Sequence, residues 1–209
     1  MLKKQPKIAP VANNEEKGLS YSLAMKRHKK AIDEGFYFEA LLIEYALMED
    51  RLRSFLYHVG MLNQKCDTKG FKRTESEIMA MLRRRNPKAS STSVRNISAK
   101  VEVVRAMLDW YASIPEAPKE SAYLCALWCQ FGSRIDVDEV SSTLSRLDEW
   151  CDYRNEIIHA LMNKDPHAVE EGIPRRCEQG MAIVRELDKY VKQIKYRNLI
   201  RRAIRLKTE

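Results

Sequence analysis

Between residues 36 and 63, Leu41, Tyr45, Met48, Leu52, Phe55, Val59 and Leu62 follow one another at spacings of 4, 3, 4, 3, 4 and 3. A helix brings a side chain back to the same face every 3.6 residues and a strand every second residue, so this rhythm belongs to a helix with one buried side. About seven turns are expected. The rhythm recurs at Val140, Leu144, Leu147, Cys151, Arg154, Ile158 and Leu161, and a seam of Cys177, Val184, Leu187, Val191 and Ile194 marks a third long helix. No stretch has convincing strand alternation. Helices of this kind must bury their seams against one another, which restricts the chain to an all-α helical bundle.

The breaks between helices are legible too. An irregular basic N-terminus is expected over residues 1–18, followed by a helix that ends near Gly35. Thr74 with Glu77 three residues later reads as a capping box at the start of "TESEIMAMLRRR". The prolines of "IPEAPKE" separate two further helical stretches, "KDP" stops the helix of residues 140–163, and a final helix is expected over residues 174–206. Residues 19–194 then form one domain and residues 195–209 a basic C-terminal helical extension. At 209 residues the chain can bury roughly two thirds of its extended surface, so it needs no staple to fold.

Charge is distributed unevenly. Residues 1–30 sum to +6 and residues 192–209 to +6, which leaves the intervening 161 residues at −4 of the total +8. Residues 83–100 add six basic side chains and no acid, with a Ser/Thr/Pro-rich centre that reads as a loop. Basic segments of this kind attract a polyanion without regard to its sequence. Arg83, Arg84, Arg85, Arg197, Arg201 and Arg202 are therefore candidate RNA contacts; the same charges can also be plain solvated surface. The five cysteines are odd in number and scattered, and the first residues contain no apolar core of a secretory leader, so a cytoplasmic location is expected. Cys125 and Cys129 lie four apart but have no matching second pair, so they read as ordinary thiols and no metal is expected. Apolar runs fall far short of the roughly 18 residues that span a bilayer, so integral membrane association is not expected.

The anomaly is Arg154. Six members of its seam are apolar, and the seventh is an arginine. Beside the seam runs a polar stripe of Asp148, Asp152, Asn155 and His159. Arg154 and His159 differ by about 140° around an ideal helix, so one straight helix cannot aim both at the same atom. A two-fold dimer packed through this seam can supply the second residue from another copy.

Arg154-Asn155 followed by His159 resembles the R-x4-6-H signature of the HEPN superfamily, whose common form has Asn, Asp or His directly after the Arg. "RSFLYH", Arg53 to His58, has the same outer spacing but no such Asn, and "KYRNLIRRAI" has Arg202 where the His belongs. The resemblance covers the motif, its place on a late helix and the long helix of residues 36–63. It implies a small HEPN-like bundle acting as a dimeric, metal-independent endoribonuclease without a cofactor, in a toxin–antitoxin or defence role. It also implies that Arg154, Asn155 and His159 are the active-site residues, with Glu44 on an earlier helix and Asp152 in support. The subclass with a nucleotidylated Tyr two residues after the His is disfavoured, because Leu161 stands there.

The residue types suit that chemistry. Histidine titrates near neutrality and can take the proton of a ribose 2′-OH, while an always-charged arginine grips the phosphate and its developing charge. Two other readings stand beside it. A non-catalytic HEPN-like module would bind RNA or protein through the same surface. In an unrelated helical protein, Arg154 would be a structural ion-pair partner of Glu44 and His159 a satisfied interface histidine. Trp150 reads as core before it reads as a stacking platform.

Overall fold

The first seam forms α2 (Tyr37–His58), and Ala40, Leu41, Leu47, Met48, Leu52, Phe55 and Leu56 are all buried along it. The computed structural model describes residues 14–61, 69–90, 94–160, 163 and 171–205. Within these there are eight helices and no strand. The other helices are α1 (Asn14–Asp33), α3 (Lys69–Arg85), α4 (Ile97–Ala112), α5 (Ala122–Arg134), α6 (Val137–Ala160), α7 (Ile173–Lys195) and α8 (Leu199–Arg205). No described helix is long and apolar enough to cross a membrane.

The centre is a three-helix layer. Tyr37, Glu44 and Arg51 of α2 meet Cys177, Gly180 and Asp188 of α7 in the same order, so these two helices run parallel. Glu139, Thr143 and Trp150 of α6 meet Lys189, Glu186 and Arg176 of α7 in the opposite order, so α6 is antiparallel to both. Around this layer α1 covers α2, α4 lies against α2 and α6, and α3 against α4. α5 and α8 close one end. Gly35, at φ +76°, makes the turn from α1 into α2, a backbone region that glycine enters without the clash a Cβ suffers.

Several boundaries depart from the sequence-based expectation. α1 starts at Asn14, inside the stretch expected to be irregular; residues 1–13 lie outside the described part, as do Leu62, Cys66, Leu161 and residues 206–209. Thr74 does not open a helix, because α3 begins at Lys69; Glu77 instead accepts a hydrogen bond from Ser121, the N-cap of α5, at 2.6 Å. The basic segment of residues 83–100 is a loop at its centre, between α3 and α4, but its ends are helical: Arg83, Arg84 and Arg85 form the last turn of α3, and Lys100 lies buried in α4 with its Nζ 2.8 Å from Glu49. The last helix is not continuous. It breaks after Lys195 and turns, and Ile200 and Ile204 of α8 enter the core, so the expected extension is partly interior.

Candidate active site

The second seam holds through α6 as far as Cys151: Val140, Leu144, Leu147 and Cys151 are buried. Beyond it the buried side changes. Ile157 and Ala160 are buried, whereas Ile158, the expected next member, is 40 % exposed. The first turns of α7 meet this side of α6. Trp150 Nε1 donates to the Arg176 carbonyl at 3.0 Å and Arg176 lies over the Tyr153 ring at 4.5 Å, so the start of α7 covers Trp150 and Tyr153, in the row that continues to Ile157 and Ala160. Trp150 is core, at 1 % exposure.

Arg154 sits where the two arrangements meet and is half-buried. Its guanidinium carbon lies 4.5 Å above the Tyr45 ring of α2, and its Nη1 donates to Asn155 Oδ1 at 3.0 Å. Its Nε is buried and finds no hydrogen-bond partner among the described residues. Burial holds the Tyr45 hydroxyl above its ordinary range, so the ring beneath the cation stays neutral. Other partly buried arginines are treated differently: Arg51 is paired with Asp50 and Asp188, and Arg105 with Glu102 and Asp148. Among the described residues no carboxylate pairs with Arg154.

The structure brings together Arg154 and Asn155 and leaves the other expected site residues apart. His159 is exposed, as is Asp152, on the stripe that also carries Asp148; Asn163 Nδ2 donates to the His159 carbonyl at 3.1 Å. Glu44 is not the partner of Arg154. It is fully buried, with Oε1 2.5 Å from His28 Nε2 of α1 and Oε2 without a hydrogen-bond partner among the described residues. Burial raises its pKa to about 7, against the opposing effect of His28. Gly180 makes the space: a Cβ there would lie 2.7 Å from Trp150 Nε1 and 2.9 Å from Glu44 Cδ. α2 is enclosed by α1, α4 and α7, so its buried arc is wide enough to take in position 44, which the sequence placed at the border of the seam.

Among the candidate RNA contacts, Arg85 is paired with Glu102 and Asp109, and Arg83 Nε donates to the Ala89 carbonyl at 3.4 Å. Arg201 turns inward, with Nη1 3.1 Å from the Tyr57 carbonyl, Nη2 3.1 Å from its hydroxyl and the guanidinium 4.2 Å over its ring. Arg84, Arg197 and Arg202 are exposed. Cys151 and Cys177 are buried thiols, both pushed up to about 12 chiefly by burial, and so are poor nucleophiles near neutrality. Among the described residues no group of three His, Cys, Asp or Glu side chains is placed to hold a metal ion.

Sequence reasoning missed the role of Tyr45 and the Arg176–Tyr153 pair. Tyr45 counted as one apolar member of a seam, though a tyrosine facing a seam arginine offers a π face for the charge. Nothing in the spacing of Arg176 signalled Tyr153, because the two meet only through the packing of α6 on α7. Compared with known proteins, the chain matches no family model, no curated protein and no solved structure.

Proposed function

We propose that this protein is a metal-independent endoribonuclease of the HEPN type, acting as a homodimer in the cytoplasm in a toxin or defence role. One observation carries the reading: Arg154 is half-buried, held on Tyr45 and Asn155, and has no carboxylate partner among the described residues. A guanidinium kept cationic in this way is ready for a phosphate, which offers two oxygens to its fork of donors.

In the proposed reaction His159 takes the proton from a ribose 2′-OH. The 2′-oxygen forms a bond to the adjacent phosphorus, the bond from phosphorus to the 5′-oxygen breaks, and the leaving oxygen is protonated. The products are a 2′,3′-cyclic phosphate and a 5′-OH. Arg154 steadies the charge on the phosphoryl oxygens, and the Asn155 amide orients the nucleophile. Because His159 does not meet Arg154 within one chain, a second copy supplies it. Leu42, one turn before Tyr45, is 51 % exposed, and Ile158, one turn after Arg154, is 40 % exposed; both support a copy docking here. An antitoxin or regulatory protein would restrain the activity by covering the same face.

The test is incubation of the full chain with mixed RNA in EDTA, with end-group analysis. Cleavage to cyclic phosphate ends is expected, with a loss of about 10² or more in rate for His159→Ala. Arg154→Ala and His159→Ala, each inactive alone, should regain activity when mixed, since a mixed dimer rebuilds one complete site. The separation of His159 from Arg154 in the single chain also favours a second reading, a non-catalytic RNA- or protein-binding module. Intact RNA after incubation with a folded wild type would decide for that reading.

A further inference from the structure

The turn between α7 and α8 is held by more bonds than a solvent-exposed bend requires. Gln130 of α5, only 1 % exposed, donates from Nε2 to the carbonyls of Ile194 and Tyr196 at 3.2 and 3.0 Å and accepts from the Leu199 amide at 3.1 Å. Asn198 Nδ2 donates to the carbonyls of His58 and Ile194 at 3.0 and 3.1 Å, and its Oδ1 accepts from the Arg201 amide at 2.8 Å. This frame holds an unfavourable residue in place. Arg197 has φ +45°, the left-handed region that a glycine ordinarily occupies after a helix, and its side chain is exposed. Packing gives no reason for an arginine there. Strained non-glycine backbone persists where the surroundings over-determine it, and it concentrates at binding sites.

The side chains at this corner have a common character. Tyr196 is 53 % exposed, with the Arg134 guanidinium 4.8 Å and the Arg197 guanidinium 5.4 Å from its ring centre. Neither arginine has a carboxylate partner among the described residues, in contrast to Arg51, Arg85 and Arg105. The field nearby is positive: the His58 imidazole is pushed down to about 4, first by burial and then by the charges of Lys195, Arg201, Lys17 and Arg51.

We infer that the corner formed by Arg134, Tyr196 and Arg197 is a binding site for single-stranded RNA, the guanidiniums holding backbone phosphates and the half-open ring receiving a base. Guanidinium planes and tyrosine rings stack on any base, and the phosphates reward the fixed charge. A lipid surface would call for a broad apolar face rather than one ring between two cations. The inference rests on the proposed RNA substrate and adds Arg134 and Tyr196 to its contacts.

The test uses the full chain carrying His159→Ala, so that bound RNA is not cut. It is titrated with a labelled polyuridine oligonucleotide and, separately, with heparin, which is anionic but has no bases. Arg197→Gly should melt at the same or a higher temperature, bind polyuridine about five- to tenfold more weakly, and lose roughly 0.7 from the slope of log affinity against log salt. Arg134→Gln, on a different helix and free of any backbone effect, should reproduce that loss. Tyr196→Ala should weaken polyuridine binding and leave heparin binding unchanged. Unchanged polyuridine affinity in Arg197→Gly and Arg134→Gln overturns the site. So does an equal loss toward heparin in Tyr196→Ala. If the wild type binds RNA through this corner but never cuts it, the nuclease reading fails and the corner stands; if it cuts RNA and the corner variants bind normally, the corner alone fails.

Discussion

The first half of α6 and its last turns handle polar groups in opposite ways. In the first half, Thr143 is fully buried: its hydroxyl donates to Glu186 Oε2 at 2.7 Å, lies 2.9 Å from the Tyr190 hydroxyl and accepts from Arg146 Nη2 at 3.2 Å. Beyond Trp150, Arg154 has a buried Nε without a partner among the described residues, Ile158 is 40 % exposed, and Asp152, Asn155 and His159 face outward. A completed polar network rigidifies a core, whereas a buried donor left without a partner costs about 1–3 kcal/mol. Stability alone explains the first arrangement. The second has the character of a site kept for a task that folding does not reward.

The hardest blow to this comparison falls at the boundary between the two stretches. Trp150 is buried and bonded to the start of α7, so Trp150→Ala should cost about 3–5 kcal/mol, measured as the shift of the urea midpoint. A loss below about 1 kcal/mol would show that the two halves of α6 are not joined through the core. Next comes Glu44, whose folded pKa is raised from 4.5 to about 7. A raised pKa means that the folded state binds the proton more tightly, so this group's contribution is fully present below pH 4.5 and is lost as pH rises through 7. The loss is on the order of 3 kcal/mol. Glu44→Gln should flatten stability between those limits; an unchanged pH profile would mean that Glu44 is ionised in the fold throughout.

The smaller effects sharpen the contrast directly. Thr143→Val should cost about 1–3 kcal/mol, because Tyr190, Arg146 and Glu186 lose their common partner. Arg154→Leu should change stability by less than about 1 kcal/mol, the lost stacking on Tyr45 being offset by removal of the buried Nε. Under the proposed function, RNA cleavage should nevertheless vanish. A loss of several kcal/mol at Arg154 would make the residue structural and remove the difference between the two halves.

Much of this fold is legible in the sequence because long helices write their buried faces as a 3.6-residue rhythm. The cores of α2, α6 as far as Cys151, and α7 follow it. What escapes is whatever depends on which neighbour covers which row. Ile157 and Ile158 are equally apolar, and only the packing decides that Ile157 is the buried one. Glu44 reads as the one acidic residue bordering the seam of the long helix and so as a partner for Arg154, but an imidazole sixteen residues earlier reaches it from α1. The cation on Tyr45 follows the same rule: the arginine's misfit is visible in the spacing, and its partner only in the packing.

The buried contact between Glu44 and His28 also bears on the heat of unfolding. Near neutrality the folded chain holds a fraction of a proton on Glu44 that the open chain does not keep, so every molecule that unfolds hands it to the surrounding buffer. A calorimeter records the buffer's own ionisation heat together with that of the protein. The enthalpy read in an amine buffer will therefore differ from that read in phosphate, although the same helices come apart in both.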